Sequence, residues 1–306
     1  MEIRKTLLIR EEAGGRPREY IFFKVAYNHF REVSSSQAHE VLDREEPAEC
    51  ECVLCLPDSW TPDNETPLIL SFHGAGSVVC EAENQVGGLA YVQHCLNAGY
   101  AALDVCGSAP HGITMGCPEH LFAAYKAYRY AVKRYHLSRQ VLVAGGSMGG
   151  HTALNFANTF PSIVTAAGLF FPRLNMGSVC VDGHLCIGTW DKRQSTADKP
   201  STHQRLIDVY RFPKDEWNDD LTAGFNPYRS RSFIGADGRR VVMPPCPIKI
   251  WQGTSDPTVD PVMVQEYVRS VRRAGCYIEL HMLENHGHHF SPVMAQELKL
   301  WFDRFI

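Results

Sequence analysis

From about residue 67 onward, short apolar runs alternate with longer segments in which apolar residues recur at helical spacing. The short runs are typical of buried strands, and helical spacing is clearest where Leu121, Ala124, Tyr128 and Ala131 share one side. Such alternation predicts a mainly parallel, doubly wound sheet with helices on both faces. Strands are predicted at residues 68–72, 100–103, 141–144, 163–169, 248–251 and 277–282, and helices at residues 88–98, 119–135, 148–160, 261–274 and 291–305.

Two parts of the chain depart from this alternation. Residues 1–57 indicate β structure that begins with a hairpin, whose strands at residues 6–10 and 19–25 flank a turn rich in glycine. Residues 171–245 are rich in Gly, Pro, Asp, Trp and Arg and are short of periodic apolar residues. They predict an irregular lid inserted above the sheet, not an independent unit, so we expect a single domain over residues 1–306.

The composition is that of an ordinary globular protein. The chain has 306 residues, of which 44% are hydrophobic and 21% charged, enough to bury a large core. The formal net charge is −4, from 30 basic and 34 acidic residues, so nothing indicates a nucleic-acid partner. Because no apolar run approaches membrane-spanning or secretory-signal length, we expect a cytoplasmic protein with no membrane partner. The sequence leaves the oligomeric state open, a homo-oligomer included.

A glycine-rich pentapeptide, Gly145-Gly146-Ser147-Met148-Gly149, lies between a predicted strand and a predicted helix. A serine at the apex of so tight a turn is held in strained backbone geometry, and the residues two before and two after it must be small because strand and helix crowd together there. We therefore predict Ser147 as a nucleophile. The amide of Met148, at the helix N-terminus, would point toward the oxygen of a bound carbonyl.

A serine nucleophile needs a base, and the base needs an orienting acid. Asp256 follows a predicted strand at its C-terminal end, where open α/β sheets place their sites, whereas Asp260 is better suited to capping the next helix. The loop before the last helix carries three histidines. We predict His288 as the base, and His286 and His289 remain the alternatives.

A second glycine-rich turn, His73-Gly74-Ala75-Gly76, follows the strand at residues 68–72. Turns of this kind expose backbone amides, so the amide of Gly74 or Ala75 would complete an oxyanion hole with that of Met148. A simple strand-ending turn is the alternative interpretation of this segment.

Candidate substrate contacts are His73, in that turn, and Trp190 and Trp217, in the predicted lid. The two tryptophans and neighbouring aromatic residues could line an acyl or sugar pocket. They could equally anchor the lid onto the sheet.

Two clusters invite a metal-site interpretation that the pattern does not favour. Cys50 and Cys52 would share one face of a strand while Cys55 points to the other, so one ion could not easily bind all three. The second cluster consists of His281, His286, His288 and His289. It lacks a helical His-x-x-x-His frame with a carboxylate. We expect buried thiols in a reducing compartment, no metal site and no cofactor.

Taken together, these segments resemble the α/β-hydrolase superfamily, and within it the prolyl-oligopeptidase-like and esterase branches. The matching segments are His73-Gly74-Ala75-Gly76, Gly145-Gly146-Ser147-Met148-Gly149-Gly150, Gly253-Thr254-Ser255-Asp256 and Gly287-His288-His289-Phe290. The resemblance spans roughly residues 50–306, the insertion excepted. It implies an eight-stranded, mostly parallel sheet and acyl transfer through an acyl-serine intermediate. The peptidases of that branch carry a large N-terminal propeller that residues 1–57 cannot form, which favours a small esterase.

The sequence therefore predicts a cofactor-independent serine carboxylesterase that acts on a small-molecule ester. Lid aromatics are compatible with aryl or acetylated-sugar esters, as in feruloyl and acetyl esterases. The nearest alternative is a small serine peptidase of the oligopeptidase type. A non-catalytic binding protein of the same fold and a metal-dependent hydrolase that uses the histidine cluster are the less favoured alternatives.

Overall fold

The computed structural model describes most of the chain outside the predicted lid. Side chains are described for residues 18–27, 48–106, 114–174, 209–210, 227 and 246–306, and backbone alone for the strands Ile3–Ile9, Phe30–Glu32, His39–Val41, Ser232–Ile234 and Arg240–Val242. Most of the predicted lid, including Trp190 and Trp217, lies outside the described residues.

A nine-stranded sheet forms the centre of the molecule. Its strands are β1 Ile3–Ile9, β2 Arg18–Tyr27, β3 Ala48–Cys55, β4 Thr66–Phe72, β5 Ala101–Val105, β6 Leu137–Gly146, β7 Val164–Phe170, β8 Ile248–Gly253 and β9 Ile278–Leu283. They lie in the order β1-β2-β3-β5-β4-β6-β7-β8-β9. The six strands from β5 to β9 in this order pair in parallel. Strands β1, β2 and β3 pair in antiparallel fashion at one edge of the sheet. The outermost strand, β1, is added to the other eight.

Helices cover both faces of the sheet, as the alternation predicts. They are α1 Gln93–Asn97, α2 Pro118–Tyr135, α3 Met148–Thr159, α4 Pro261–Arg273 and α5 Pro292–Phe302, with a 3-10 helix at Gly87–Val92 before α1. Proline begins α2, α4 and α5, where its missing N–H costs nothing. Asp260 caps α4 by accepting a hydrogen bond from the Val262 amide at 2.8 Å, the role predicted for it.

Two apolar cores lie on opposite faces of the sheet. One contains the buried sides of α2, α3 and α4, and the other those of the 3-10 helix, α1 and α5. The strand β3 contributes to both, since Cys50 and Cys52 lie in the first core and Cys55 in the second. All three thiols are free and buried, which confirms the alternation predicted for this strand.

Parallel pairing brings the predicted functional turns to one edge of the sheet. Gly145 in β6 is paired with Phe72 at the end of β4, and Gly146 with Phe170 at the end of β7. Phe170 is in turn paired with Trp251 in β8. The turns that follow β4, β6 and β8 therefore meet at the carboxyl edge, where sites in such sheets lie.

Within the described residues, no helix has both the length and the apolar character needed to cross a lipid bilayer.

At the β9 edge of the sheet, Glu297 of α5 organises a small charged cluster. Its Oε2 atom accepts hydrogen bonds from Trp251 Nε1 at 2.8 Å and from His281 Nδ1 at 2.9 Å. Lys249 Nζ lies 2.9 Å from the same oxygen. Burial raises the pKa of Glu297, but its bonds to Lys249, Trp251 and His281 outweigh that effect and lower it to about 2.

This pKa predicts how stability depends on pH. A carboxyl whose pKa is lower in the folded than in the unfolded protein stabilises the fold above its unfolded pKa and loses that contribution as pH falls. Glu297→Gln should therefore lower the melting temperature at pH 7, and the difference from wild type should shrink between about pH 4.5 and pH 2. The control is Glu266→Gln, at an exposed position on α4. An equal deficit of the Glu297 variant at pH 7 and pH 3 would contradict the assignment.

Candidate active site

Ser147 lies at the apex of the turn between β6 and α3, in a backbone conformation that residues other than glycine rarely adopt. Its φ is 55° and its ψ is −117°. Its N–H donates to the Phe170 carbonyl at 2.9 Å, and its carbonyl accepts from the amides of Arg173 at 3.1 Å and His151 at 3.3 Å. Strain of this kind costs about 1–3 kcal/mol and persists only where surrounding contacts fix the backbone, as these three do.

The glycines on either side of Ser147 are required by close packing. A Cβ atom on Gly149 would collide with the Phe72 carbonyl oxygen, and one on Gly145 would collide with the Gly149 carbonyl. The start of α3 thus lies directly against the ends of β4 and β6. Small residues at these two positions were predicted for this physical reason.

The predicted acid and the predicted base are hydrogen-bonded to each other. His288 Nδ1 lies 2.8 Å from Asp256 Oδ2. The carboxylate also accepts from the Gln252 amide side chain at 3.0 Å and from the backbone amides of Thr258 and Val259 at 2.8 and 2.9 Å. Asp256 is 7% exposed, so this buried charge is compensated by four donors.

These contacts determine the protonation of the pair. Burial raises the pKa of Asp256, but the hydrogen bonds from His288, Val259 and Thr258 outweigh burial and leave it below its ordinary value. Asp256 is therefore ionised at neutral pH. An ionised carboxylate accepts the proton on His288 Nδ1, which leaves Nε2 as the basic nitrogen.

The other two histidines of this loop are engaged differently. His286 Nδ1 donates to the Gly287 carbonyl at 2.9 Å, and the rings of His286 and His289 stack with centroids 3.9 Å apart. The structure thus brings His288 to Asp256 and directs its two neighbours elsewhere.

Phe171 links His288 to the serine turn. Its ring centroid is 4.5 Å from that of His288, and its amide donates to the Trp251 carbonyl at 2.7 Å. The same ring lies 3.2 Å from where a Cβ atom of Gly146 would be. The imidazole and the residue before Ser147 therefore flank the same aromatic ring.

The predicted oxyanion turn lies beside the serine. A Cβ atom on Gly74 would be 3.9 Å from that of Ser147, and the Ser77 amide closes the turn by donating to the Gly74 carbonyl at 3.2 Å. Ala75 follows in the same turn, half-buried. On the other side, buried Met148 begins α3, where backbone amides have no acceptor within the helix.

Tyr91 of the 3-10 helix belongs to this site, although no sequence motif points to it. Its hydroxyl oxygen lies 3.2 Å from where a Cβ atom of Gly74 would be and 2.8 Å from that of Gly146. Its ring packs against Phe170 and, edge-on, against Phe290, with centroids 5.6 and 5.2 Å away. A tyrosine inside a helix carries no motif, so only the packing of that helix against the turn reveals it.

The pKa of Tyr91 keeps its hydroxyl protonated at neutral pH. Burial raises the pKa, the charge of Asp104 raises it further, and a hydrogen bond with the Gly74 backbone opposes both. The net shift is upward, so Tyr91 is a neutral hydrogen-bond donor beside the serine turn.

His73 does not lie where a substrate contact requires. It is 1% exposed, and its Nδ1 atom is 3.0 Å from Asp104 Oδ2. The prediction of His73 as a substrate contact is therefore corrected, because its ring lies beneath the turn and not at its surface. Trp190 and Trp217 remain predictions outside the described residues.

The described part of the chain contains no group of three or more His, Cys, Asp or Glu side chains arranged to hold a metal ion.

Several solved structures have a similar architecture. A provisionally assigned dipeptidyl aminopeptidase IV from Bacteroides ovatus is similar with a TM-score of 0.58 and 14% identity, over 93% of this chain and 35% of that one. A puromycin-hydrolysing peptidase from Mycobacterium tuberculosis gives 0.59 and 16%, over 84% and 37%. Esterase 2 from Thermogutta terrifontis, bound to butyrate, gives 0.54 and 18%, over 84% and 88%. The chain has the α/β-hydrolase fold.

The chain spans about a third of the length of the two peptidases and most of the length of the esterase. No protein-family model matches the sequence, and no curated protein matches it either.

Packing around the serine turn predicts the effect of two glycine substitutions. Gly149→Ala should lower the melting temperature strongly, because its Cβ atom would collide with the backbone of β4. Gly275→Ala is the control. Its φ is +89° and nothing lies within 4 Å of the added atom, so it should cost only the conformational penalty of about 1–2 kcal/mol. Thermal unfolding of both variants tests this, and equal losses would contradict the packing argument.

Proposed function

We propose that the protein is a cofactor-independent serine hydrolase of the carboxylesterase type. Ser147 is its nucleophile, His288 its general base and Asp256 the acid that orients the imidazole. The observation that carries this proposal is the 2.8 Å contact between His288 Nδ1 and Asp256 Oδ2 beside the strained Ser147 turn. It leaves a basic Nε2 on an imidazole whose aromatic neighbour, Phe171, also flanks the serine turn, and acyl transfer requires a base of this kind.

In the proposed reaction, Ser147 Oγ bonds to the ester carbonyl carbon while His288 Nε2 takes the hydroxyl proton. The tetrahedral intermediate collapses, and the departing alcohol takes that proton from His288. Water, deprotonated by the same nitrogen, then attacks the acyl-serine. The acid leaves, and the proton returns to Ser147.

In the tetrahedral intermediate the carbonyl oxygen carries negative charge, and two elements, the start of α3 and the turn after β4, supply hydrogen-bond donors to it. The Met148 amide stabilises it from the helix side, and the amide of Gly74 or Ala75 from the turn side. The protonated Tyr91 hydroxyl, next to Gly74, supplies a further donor. Each donor that points to the oxyanion and not to the substrate carbonyl lowers the barrier selectively.

Both candidate activities occur among the similar solved structures. The Thermogutta terrifontis esterase is matched over 88% of its length, whereas the two peptidases are matched over 35% and 37% of theirs. Within esters, the aromatic residues of the predicted lid, Trp190 and Trp217 among them, are compatible with aryl or acetylated-sugar substrates. A serine peptidase is the second candidate, because the peptidases give the higher TM-scores, 0.58 and 0.59 against 0.54.

Ser147→Ala tests the nucleophile. The variant should lose reactivity with a fluorophosphonate probe and about 10⁴-fold or more of kcat toward an aryl ester, because it lacks the hydroxyl that forms the acyl intermediate. The control is Ser138→Ala, at the opposite end of the same strand β6. Peptide mapping of the labelled wild type should identify Ser147, and an alanine variant with full esterase activity would refute the proposal.

The choice between ester and amide is tested by comparing matched substrates. Aryl esters and aminoacyl arylamides with the same acyl group should give the higher kcat/KM for the ester, with the amide barely above the Ser147→Ala background. A panel of acyl chain lengths, with feruloyl and acetyl-sugar esters included, then defines the acyl group. Efficient turnover of the amide would support the peptidase instead.

A further inference from the structure

A second, fully buried His–Asp pair lies directly beneath the oxyanion turn. Asp104, at the end of β5, is 1% exposed, and its Oδ2 atom is 3.0 Å from His73 Nδ1. Oδ2 also accepts from the Gly88 amide at 2.6 Å, and Oδ1 accepts from the Val105 amide at 2.7 Å. Nothing in the proposed reaction uses this pair directly.

The donors around Asp104 fix where the proton lies. The amides of Gly88 and Val105 can only donate, so both carboxylate oxygens accept. We assign the shared proton to His73 Nδ1 on this ground. The nearby His120 does not compete for the carboxylate, because its ring nitrogens lie 2.7 Å from Thr114 Oγ1 and 2.8 Å from the Val105 carbonyl.

His120 adds no charge to the pair. Burial and the neighbouring His73 lower its pKa to about 4, against the opposing effects of the Asp104 charge and the hydrogen bond with the Val105 backbone. Asp104 and His73 therefore form a local unit, with a neutral His120 beside it.

Asp104 connects two elements that both border the serine. His73 begins the oxyanion turn, and Gly88 lies in the first turn of the 3-10 helix that carries Tyr91. The same helix is joined to β4 by a second bond, since Ser71 Oγ donates to the Gly88 carbonyl at 2.6 Å. A Cβ atom on Gly88 would lie 2.8 Å from the His73 nitrogen, so the two backbones are in direct contact.

The imidazole of His73 is only partly satisfied by hydrogen bonds. Among the described residues, His73 Nε2 is buried and has no hydrogen-bond partner. A buried polar atom left unpaired destabilises a fold, and an apolar side chain would fill the same space without that cost. Within the described part of the chain, the hydrogen bond of the imidazole is that of Nδ1 with Asp104, so this contact orients the ring.

We propose that Asp104 is a positioning residue that aligns the oxyanion donors through His73 on one side and Gly88 on the other. The turn amide of Gly74 or Ala75 and the hydroxyl of Tyr91 then approach the reacting carbonyl as one rigid unit. The proposal rests on the proposed function, because only an oxyanion requires this alignment.

Asp104→Asn is the central test, because it keeps the shape and replaces one acceptor oxygen by a donor NH₂. We expect kcat toward an aryl ester to fall by about 10²-fold, the loss typical of small misplacements, with KM nearly unchanged. His73→Leu removes the same link from the other side and should give a similar loss. If the Asp104→Asn protein does not fold, the kcat of His73→Leu tests the proposal in its place.

The double variant distinguishes alignment from independent damage. If Asp104 and His73 act as a unit, Asp104→Asn combined with His73→Leu should be no slower than the slower single variant. Gly275→Ala is the control, since it is destabilised at an exposed turn after α4 and should keep wild-type kcat. Wild-type kcat in a folded Asp104→Asn or His73→Leu protein, a loss confined to KM, or losses that multiply would each overturn the proposal.

A measurement independent of activity separates this proposal from the proposed function. In protein labelled with ¹⁵N-histidine, His73 Nδ1 should give a slowly exchanging proton signal, identified by its disappearance in His73→Leu and shifted in Asp104→Asn. Absence of that signal overturns the proposed pair. Wild-type protein that gives the signal but shows no fluorophosphonate labelling would instead refute the serine hydrolase, and with it the catalytic purpose assigned to Asp104.

Discussion

Close packing between the start of α3 and the ends of β4 and β6 constrains the whole carboxyl edge of the sheet. Gly145 and Gly149 leave no room for a methyl group, so the turn between them must be sharp and its apex residue must take a positive φ. Ser147 is held there by backbone hydrogen bonds to Phe170, Arg173 and His151. Its side chain is thereby directed away from the sheet, toward the space that the neighbouring turns enclose.

Parallel pairing then determines what surrounds that side chain. Because β4, β6, β7 and β8 are adjacent and end at one edge, residues far apart in sequence meet without long connections. Asp256 follows β8, and its four donors keep it ionised in a nearly buried position. That charge fixes the tautomer of His288, and Phe171 supports the imidazole from the side of the serine turn.

The sequence was informative wherever local chemistry decides the structure. The turn at Ser147, the capping role of Asp260 and the pairing of Asp256 with His288 follow from spacing, glycine content and chain order. Tyr91 and Asp104 could not be found in this way. Their positions depend on how the 3-10 helix packs against β4, a contact between elements that no local pattern records. His73 was misassigned for the same reason, since a residue next to an exposed turn can still point inward.

The candidate site has two layers, an upper one at the surface of the turns and a lower one buried beneath them, and we assign them different roles. The upper layer, Ser147, His288 and the turn amides, contains the groups that contact a substrate in the proposed reaction. The lower layer, Asp104 and His73, is buried beneath them and binds the two elements to which the proposal assigns the oxyanion donors. Backbone amides cannot be adjusted by side-chain rotation, so their direction depends on whatever fixes the main chain. A buried carboxylate with several backbone and side-chain donors is well suited to that purpose, because any displacement of the turn would leave its charge uncompensated.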